Sequence, residues 1–93
     1  MVMAVQNHVG LIVTNLTGVA GSTVINAKSI SWITNEDPNQ AILFNFEEGT
    51  NTSGAFKIGT GLTVRDINVS VGTIYYTSTG ATAASFSLFG LAQ

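Results

Sequence analysis

Large apolar residues recur at every second position in much of this chain, and this alternation limits the folds that it can adopt. Ile42, Phe44 and Phe46 share one parity, and the segment Val9–Val13 repeats the pattern near the N-terminus. A period of two places such side chains on one face of a β-strand. The i, i+3, i+4, i+7 spacing of an amphipathic helix does not occur over two turns. The pattern therefore predicts an all-β protein.

Gly, Ser, Thr and Asn clusters separate the alternating segments at intervals of roughly ten residues, which is the rhythm of a β-sandwich or a small barrel. We expect seven or eight short antiparallel strands and no substantial helix. Residues 1–8 form an N-terminal arm or an edge strand, and residues 9–93 form a single β domain. The predicted strands are 9–16, 23–34, 42–46, 55–58, 62–71, 73–77 and 85–91.

The segment 29–48 contains the only Trp, the only Pro and four of the five acidic residues. Its two apolar runs flank a polar stretch around the proline, an arrangement that is typical of a β-hairpin. A register that pairs Trp32 with Phe44 and Ile30 with Phe46 keeps both apolar rows on one face. We therefore expect this hairpin to be the nucleus of the fold, with Trp32 in the core.

Two places break the simple alternation. The long segment 23–34 has a possible break near Asn26, and the apolar phase slips at Arg65 and Asp66, which predicts a β-bulge or a strand end. Tyr75 and Tyr76 are adjacent on one predicted strand, so their side chains should point to opposite faces. One of these tyrosines should therefore lie at a surface or an interface.

Charged residues make up only 9% of the chain, whereas 45% of it is hydrophobic. A domain of this size leaves much of its apolar content accessible, and few charges are present to keep such surfaces apart. We therefore expect part of the surface to be buried against copies of the chain or against a larger partner. The alternative is a monomer coated with Ser and Thr. The expected interface residues are Val2, Met3, Val5, Tyr75, Tyr76, Phe89 and Leu91, and loop 49–54 should face outward.

Several functional classes are disfavoured. A net charge of −2 with three basic residues argues against nucleic acid. The chain has no Cys, which excludes disulfides and thiol chemistry. No apolar run approaches the ~20 residues of a membrane span, and the first basic residue is Lys28, so the charged start of a secretory signal is missing.

The sequence also lacks a recognisable catalytic set. His8 is the only histidine, and no Gly-x-Ser-x-Gly elbow surrounds a serine. We expect no enzyme activity, no catalytic residues, no cofactor and no dedicated metal site. One point stays open: the alternating oxygens of Asn35, Asp37 and Asn39 could bind Ca²⁺ or a glycan at the predicted turn.

An uncharged N-terminal segment (residues 1–7), small-residue loops at 49–54 and 78–85, and the missing catalytic set together resemble small bacteriophage virion proteins, especially capsid decoration (cement) proteins. This resemblance implies a structural protein in many copies, often a trimer, that is assembled in the host cytoplasm and clamps capsid subunits in the virion. The alternative is a carbohydrate-binding or adhesin-like module of a tail or fibre that uses Trp32, Tyr75 or Tyr76.

Overall fold

The computed structural model describes residues 8–16, 21–48, 55–79 and 84–93, and all regular structure in these ranges is β-strand. The prediction of an all-β chain with about seven strands is therefore confirmed. None of the described residues belongs to a helix with the length and apolarity needed to cross a membrane. The strands are β1 (His8–Leu16), β2 (Gly21–Asn35), β3 (Ile42–Asn45), β4 (Phe56–Ile58), β5 (Thr63–Ile67), β6 (Val71–Ser78) and β7 (Ala84–Ala92).

Strand β2 organises the sheet because its two halves pair with different strands. Residues 21–27 pair with β6, residues 27–35 pair with β7, and residues 30–34 also pair with β5 on their other edge. Strand β1 adds to β7, and β3 and β4 extend from β6. We call the order β1-β7-β2-β5 half-sheet A and the order β2-β6-β3-β4 half-sheet B.

Strand β2 bends where the two halves meet. Asn26 has a φ of +47°, and the pairing with β6 shifts register between Val24 and Ala27. Asparagine tolerates this left-handed conformation better than most residues. The C-terminus is anchored at the bend, since the backbone N–H of Gln93 donates to the Asn26 carbonyl at 3.0 Å. The sequence suggested a possible break near Asn26, but β2 is continuous from Gly21 to Asn35, and the irregularity is a left-handed residue with a register shift inside the strand.

Contacts between the rings of the two half-sheets show that they face each other. Phe86 on β7 lies 4.8 Å from Phe44 on β3 and 5.0 Å from Tyr76 on β6, both edge to face. Strand β7 pairs with neither β3 nor β6, so these rings meet across the interior. The buried apolar residues that fill this interior are Ile25, Ala27, Ile30, Ile33, Ile42, Phe44, Ile58, Val71, Ile74, Tyr76, Phe86 and Leu88.

The predicted hairpin between β2 and β3 is wrong. Trp32 is opposite Arg65 and Phe89, and Phe44 is opposite Phe56 and Tyr76. Strands β5 and β7 occupy both edges of the C-terminal half of β2, which leaves no edge for β3.

The expected core position of Trp32 is also wrong, and a β-bulge explains why. The pairing of β2 with β7 is Ile30 to Gly90 and then Trp32 to Phe89, so β2 carries one extra residue at this point. Ile30 and Ile33 both face the interior, whereas Trp32 is half-buried outside the core. The bulge changes the parity of the strand and turns the Trp32 side chain outward.

The phase slip at Arg65 and Asp66 corresponds to a single unusual backbone conformation. Asp66 has a φ of +58°, while the register of β5 against β2 stays constant along the strand. Strand β5 then ends at Ile67. The irregularity is therefore where the sequence predicts it, as a left-handed residue just before the strand end.

A candidate binding face on half-sheet A

The outer surface of half-sheet A carries two aligned rows of side chains. Directly opposed residues in a sheet point to the same side, so the strand register defines both rows. The first row, taken from β1 to β5, is Gly10, Phe89, Trp32 and Arg65. The second row, in the same order, is Ile12, Ser87, Thr34 and Thr63. We call this surface the outer face.

Three rings stack on the outer face. Phe89 lies 5.0 Å from His8 at 22° and 6.1 Å from Trp32 at 20°, measured between ring centroids and ring planes. Such offset, near-parallel pairs add about 0.5–1.5 kcal/mol beyond their area burial. Each ring therefore limits the motion of its neighbour, and the three together form a ridge along the surface.

The β1–β7 side of the outer face is apolar. Ile12 is 74% exposed, and Phe89 and Leu91 are partly exposed beside it. Neither β1 nor β7 contains an Asp, Glu, Lys or Arg. We call the group His8, Gly10, Ile12, Phe89 and Leu91 the docking strip.

The β2–β5 side is polar and forms a groove of about 210 Å³. The Oγ1 atoms of Thr34 and Thr63 are hydrogen-bonded at 2.8 Å, and Ser87 is opposite Thr34 on the other side. These small hydroxyl side chains form the floor between larger neighbours. The six residues that line the groove, which we call the hydroxyl groove, are Trp32, Thr34, Glu36, Thr63, Arg65 and Ser87.

The residues predicted to form an interface do not all lie on one surface. Phe89 and Leu91 lie on the outer face, and Tyr75 is half-buried on half-sheet B. Tyr76 belongs to the core instead: it is 7% exposed, and its hydroxyl is 2.8 Å from Thr23 Oγ1. The prediction that these tyrosines face opposite ways is confirmed, but the placement of Tyr76 at an interface is wrong. Val2, Met3 and Val5 lie outside the described residues, as does loop 49–54.

The turn after β2 is held together by its own amide and carboxylate groups. Asn35 is fully buried and its Nδ2 donates to the carbonyls of Gln40 and Ile58 at 2.7 and 3.0 Å. Its Oδ1 accepts the N–H of Asp37, and Asp37 Oδ1 accepts the N–H groups of Asn39 and Gln40 at 2.7 and 2.8 Å. The side-chain oxygens considered for Ca²⁺ at Asn35 and Asp37 therefore accept backbone hydrogen bonds.

This turn also fixes one end of the hydroxyl groove. The backbone N–H of Glu36 donates to the Ser85 carbonyl at 3.0 Å, which ties the turn to β7. The Glu36 side chain is exposed and lines the groove. In the described ranges, no group of three or more His, Cys, Asp or Glu side chains is placed to hold a metal ion.

Sequence reasoning missed Trp32, Thr34, Thr63 and Arg65 as members of one surface. The signal for Trp32 was the spacing of Ile30 and Ile33, which cannot face the same side of a regular strand. No comparable signal brings β5 beside β2, because that pairing connects residues about thirty positions apart.

No protein-family model matches this chain, and no curated protein matches it. Several solved structures, in contrast, match this chain. A de novo designed double-stranded β-helix matches with a TM-score of 0.54 and 17% identity, over 88% of this chain and 96% of the design. A protein of Bacillus endospore appendages, described as forming disulfide-linked pili, matches with a TM-score of 0.51 and 13% identity, over 96% of this chain and 88% of that one.

Two enzymes contain a similar unit within longer chains. RmlC from Streptococcus suis, solved with dTDP-D-xylose, matches with a TM-score of 0.56 and 9% identity over 94% of this chain and 44% of its own. Oxalate decarboxylase from Lactobacillus farciminis, solved with formate, matches with a TM-score of 0.59 and 19% identity over 94% of this chain and 25% of its own. At these identities the likeness shows the fold, which is of the double-stranded β-helix type.

Proposed function

We propose that this protein is a non-enzymatic structural subunit of a large assembly, and that the docking strip is the surface buried there. More specifically, we propose that it is a capsid decoration protein that binds a virion shell in many copies. The observation that carries it is the exposed β1–β7 side of the outer face, where Ile12 is 74% exposed and neither strand contains a charged residue. Contiguous apolar surface of this kind marks interaction sites.

The packing of the interior supports a role without catalysis. The interior of a small β-sandwich or barrel can hold a ligand only where side chains do not already fill it. Here Phe44 and Phe86 are fully buried and touch edge to face, and Ile33, Ile42 and Ile74 are fully buried around them. These side chains occupy the space that a ligand would need, so the outer surface is the better candidate for function.

The fold likeness to the endospore appendage protein supports the same class of role, because the match covers 96% of this chain and 88% of that one. Those pili are described as disulfide-linked. This chain has no Cys, so it would have to assemble by surface burial instead. About 800 Å² per partner is typical of a specific interface, and repetition over a symmetric particle adds avidity.

A matched pair of charge substitutions tests the proposal. Ile12→Lys places an ammonium group in the docking strip, whereas Val24→Lys makes a similar change at a residue that is 66% exposed on half-sheet B. Light scattering after size exclusion should show oligomers for the wild type and for Val24→Lys, and a shift toward monomer for Ile12→Lys. An unpaired charge buried in an interface costs several kcal/mol, so Ile12→Lys should raise the dissociation constant of the oligomer by about 100-fold or more.

The same variants can be mixed with native particles and sedimented. Co-sedimentation of the wild type and of Val24→Lys, but not of Ile12→Lys, would support a decoration role. A wild type that stays monomeric at millimolar concentration and binds no particle would contradict the proposal. Equal behaviour of the two variants would contradict the assignment to the docking strip.

A further inference from the structure

The hydroxyl groove has a chemical character different from that of the docking strip beside it. Its floor is a row of small hydroxyl side chains, one wall is the Trp32 ring, and Arg65 and Glu36 are exposed at its margins. Apolar surface combined with a few convergent polar groups is typical of small-molecule sites.

We propose that the hydroxyl groove binds a neutral pyranose sugar within a glycan. A pyranose ring has one face dominated by C–H groups and a rim of hydroxyl groups. The C–H face matches the Trp32 ring, and the hydroxyl rim matches the polar side chains of the floor and margins. The proposal goes beyond the assembly role, since it uses the β2–β5 side of the outer face.

Trp32 is held in place before any ligand arrives. Its ring is half-buried and lies 6.1 Å from Phe89, which itself stacks on His8. A side chain that is already ordered loses little conformational entropy on binding, and this raises affinity for a given set of contacts. Tryptophan also provides a large apolar surface with few rotatable bonds.

The polar groups favour a neutral sugar over an anionic one. Arg65 provides only donors and Glu36 only acceptors, whereas the hydroxyl groups of Thr34, Thr63 and Ser87 can do either. A sugar hydroxyl also donates and accepts, so it can pair with every group in the groove. A phosphate or a carboxylate would gain from Arg65 but would be repelled by Glu36, and the two charges offset each other.

The single tryptophan makes the proposal simple to test, because tryptophan fluorescence, excited selectively over the two tyrosines, reports on Trp32 alone. The protein should be titrated with neutral gluco-, galacto- and manno-configured oligosaccharides, at a protein concentration below the onset of assembly. At least one series should shift the emission of Trp32 with saturation in the millimolar range or below. Sialylated and phosphorylated oligosaccharides serve as anionic probes.

Thr34→Val and Thr63→Val remove the hydroxyl groups at nearly constant volume. Each should weaken binding about 5- to 10-fold, the value of one lost hydrogen bond. Arg65→Gln should weaken it by at least as much, whereas Lys28→Gln, an equal change of charge at an exposed residue outside the groove, should leave it unchanged. Nuclear magnetic resonance can follow binding in Trp32→Phe, which keeps an aromatic face.

Several results would overturn the proposal. One is that no neutral oligosaccharide perturbs Trp32 at tens of millimolar. Another is that binding survives unchanged in Thr34→Val, Thr63→Val and Arg65→Gln. Preference for the anionic probes, or occupation of the groove by a second copy of the chain, would contradict it as well. Occupation of the groove by a second copy would also show that assembly uses the β2–β5 side. The other outcomes do not bear on the Ile12→Lys test, so failure of the sugar proposal can be distinguished from failure of the assembly proposal.

Discussion

Replacement of Asn35 by aspartate is the sharpest test of how the turn after β2 is held. The substitution is nearly isosteric and keeps the oxygen that accepts the Asp37 N–H. It replaces the amide nitrogen, which donates to the carbonyls of Gln40 and Ile58 at 2.7 and 3.0 Å, with a second oxygen. An ionised carboxylate would place that oxygen against two carbonyl oxygens inside a fully buried site.

The cost follows from the protonation state of the new carboxyl group. When protonated, the group can donate to only one of the two carbonyls, and the other loses its hydrogen bond at a cost of about 1–3 kcal/mol. Keeping the proton at pH 7 adds about 4 kcal/mol, because each pH unit above the ordinary pKa of an aspartate costs about 1.4 kcal/mol. The total of about 5–7 kcal/mol approaches the whole stability of a small domain.

The pH dependence has a definite sign. Burial and the two carbonyls raise the pKa of the new carboxyl group in the folded state above its unfolded value, so the folded variant retains a proton that the unfolded chain releases. Relative to the wild type at the same pH, the Asn35→Asp variant is therefore least destabilised below about pH 4. The deficit grows by about 1.4 kcal/mol per unit as the pH rises toward 7.

Urea denaturation at pH 4 and pH 7 measures both quantities. The control is Asn68→Asp, which makes the same chemical change at an exposed residue and should stay within about 0.5 kcal/mol of the wild type. A cost below about 1 kcal/mol for Asn35→Asp at pH 7, or an equal deficit at both pH values, would contradict the role of the Asn35 amide in holding the turn.

Two further predictions concern the packing of the half-sheets. Phe86→Ala removes the ring that touches Phe44 and Tyr76 across the interior, and it should cost about 3–5 kcal/mol in urea denaturation, whereas a loss below about 1 kcal/mol would place Phe86 outside the core. Gly90→Ala would put a Cβ 2.5 Å from the Ser29 carbonyl oxygen, and it should lower stability by about 1–3 kcal/mol or more, measured in the same way. Gly10→Ala meets nothing within 4 Å and should be nearly neutral, so equal effects of the two glycine substitutions would contradict the close approach of β7 to β2.

The alternation of apolar residues was sufficient to predict the strands but not their partners. Strand β1 spans His8–Leu16 where 9–16 was expected, and β7 spans Ala84–Ala92 where 85–91 was expected. A period of two determines which side chains share a face, and it carries no information on which strand lies alongside. The hairpin of β2 and β3 was a reasonable local pairing, but β5 and β7 occupy both edges of β2 over residues 30–34.

The outer face was only partly predictable for a related reason. Phe89 and Leu91 were predicted to be interface residues; both are partly exposed on the outer face, and their place in an interface stays a prediction. Trp32 was wrongly assigned to the core. A single extra residue near Ser31 reverses the parity of the strand, and the alternation rule does not account for such an insertion. Arg65 and Thr63 join the face only through the pairing of β5 with β2, which is a long-range contact.

Hydroxyl-radical footprinting of the assembled and the dissociated protein tests most directly whether the docking strip is the buried surface. It measures the solvent reactivity of individual side chains, and exposed apolar residues elsewhere serve as internal references, since Val24 is 66% and Leu62 is 61% exposed. Assembly should protect Ile12, Phe89 and Leu91 and leave Val24 and Leu62 unchanged. Protection of Val24 or Leu62 with undiminished reactivity at Ile12 and Phe89 would contradict the assignment.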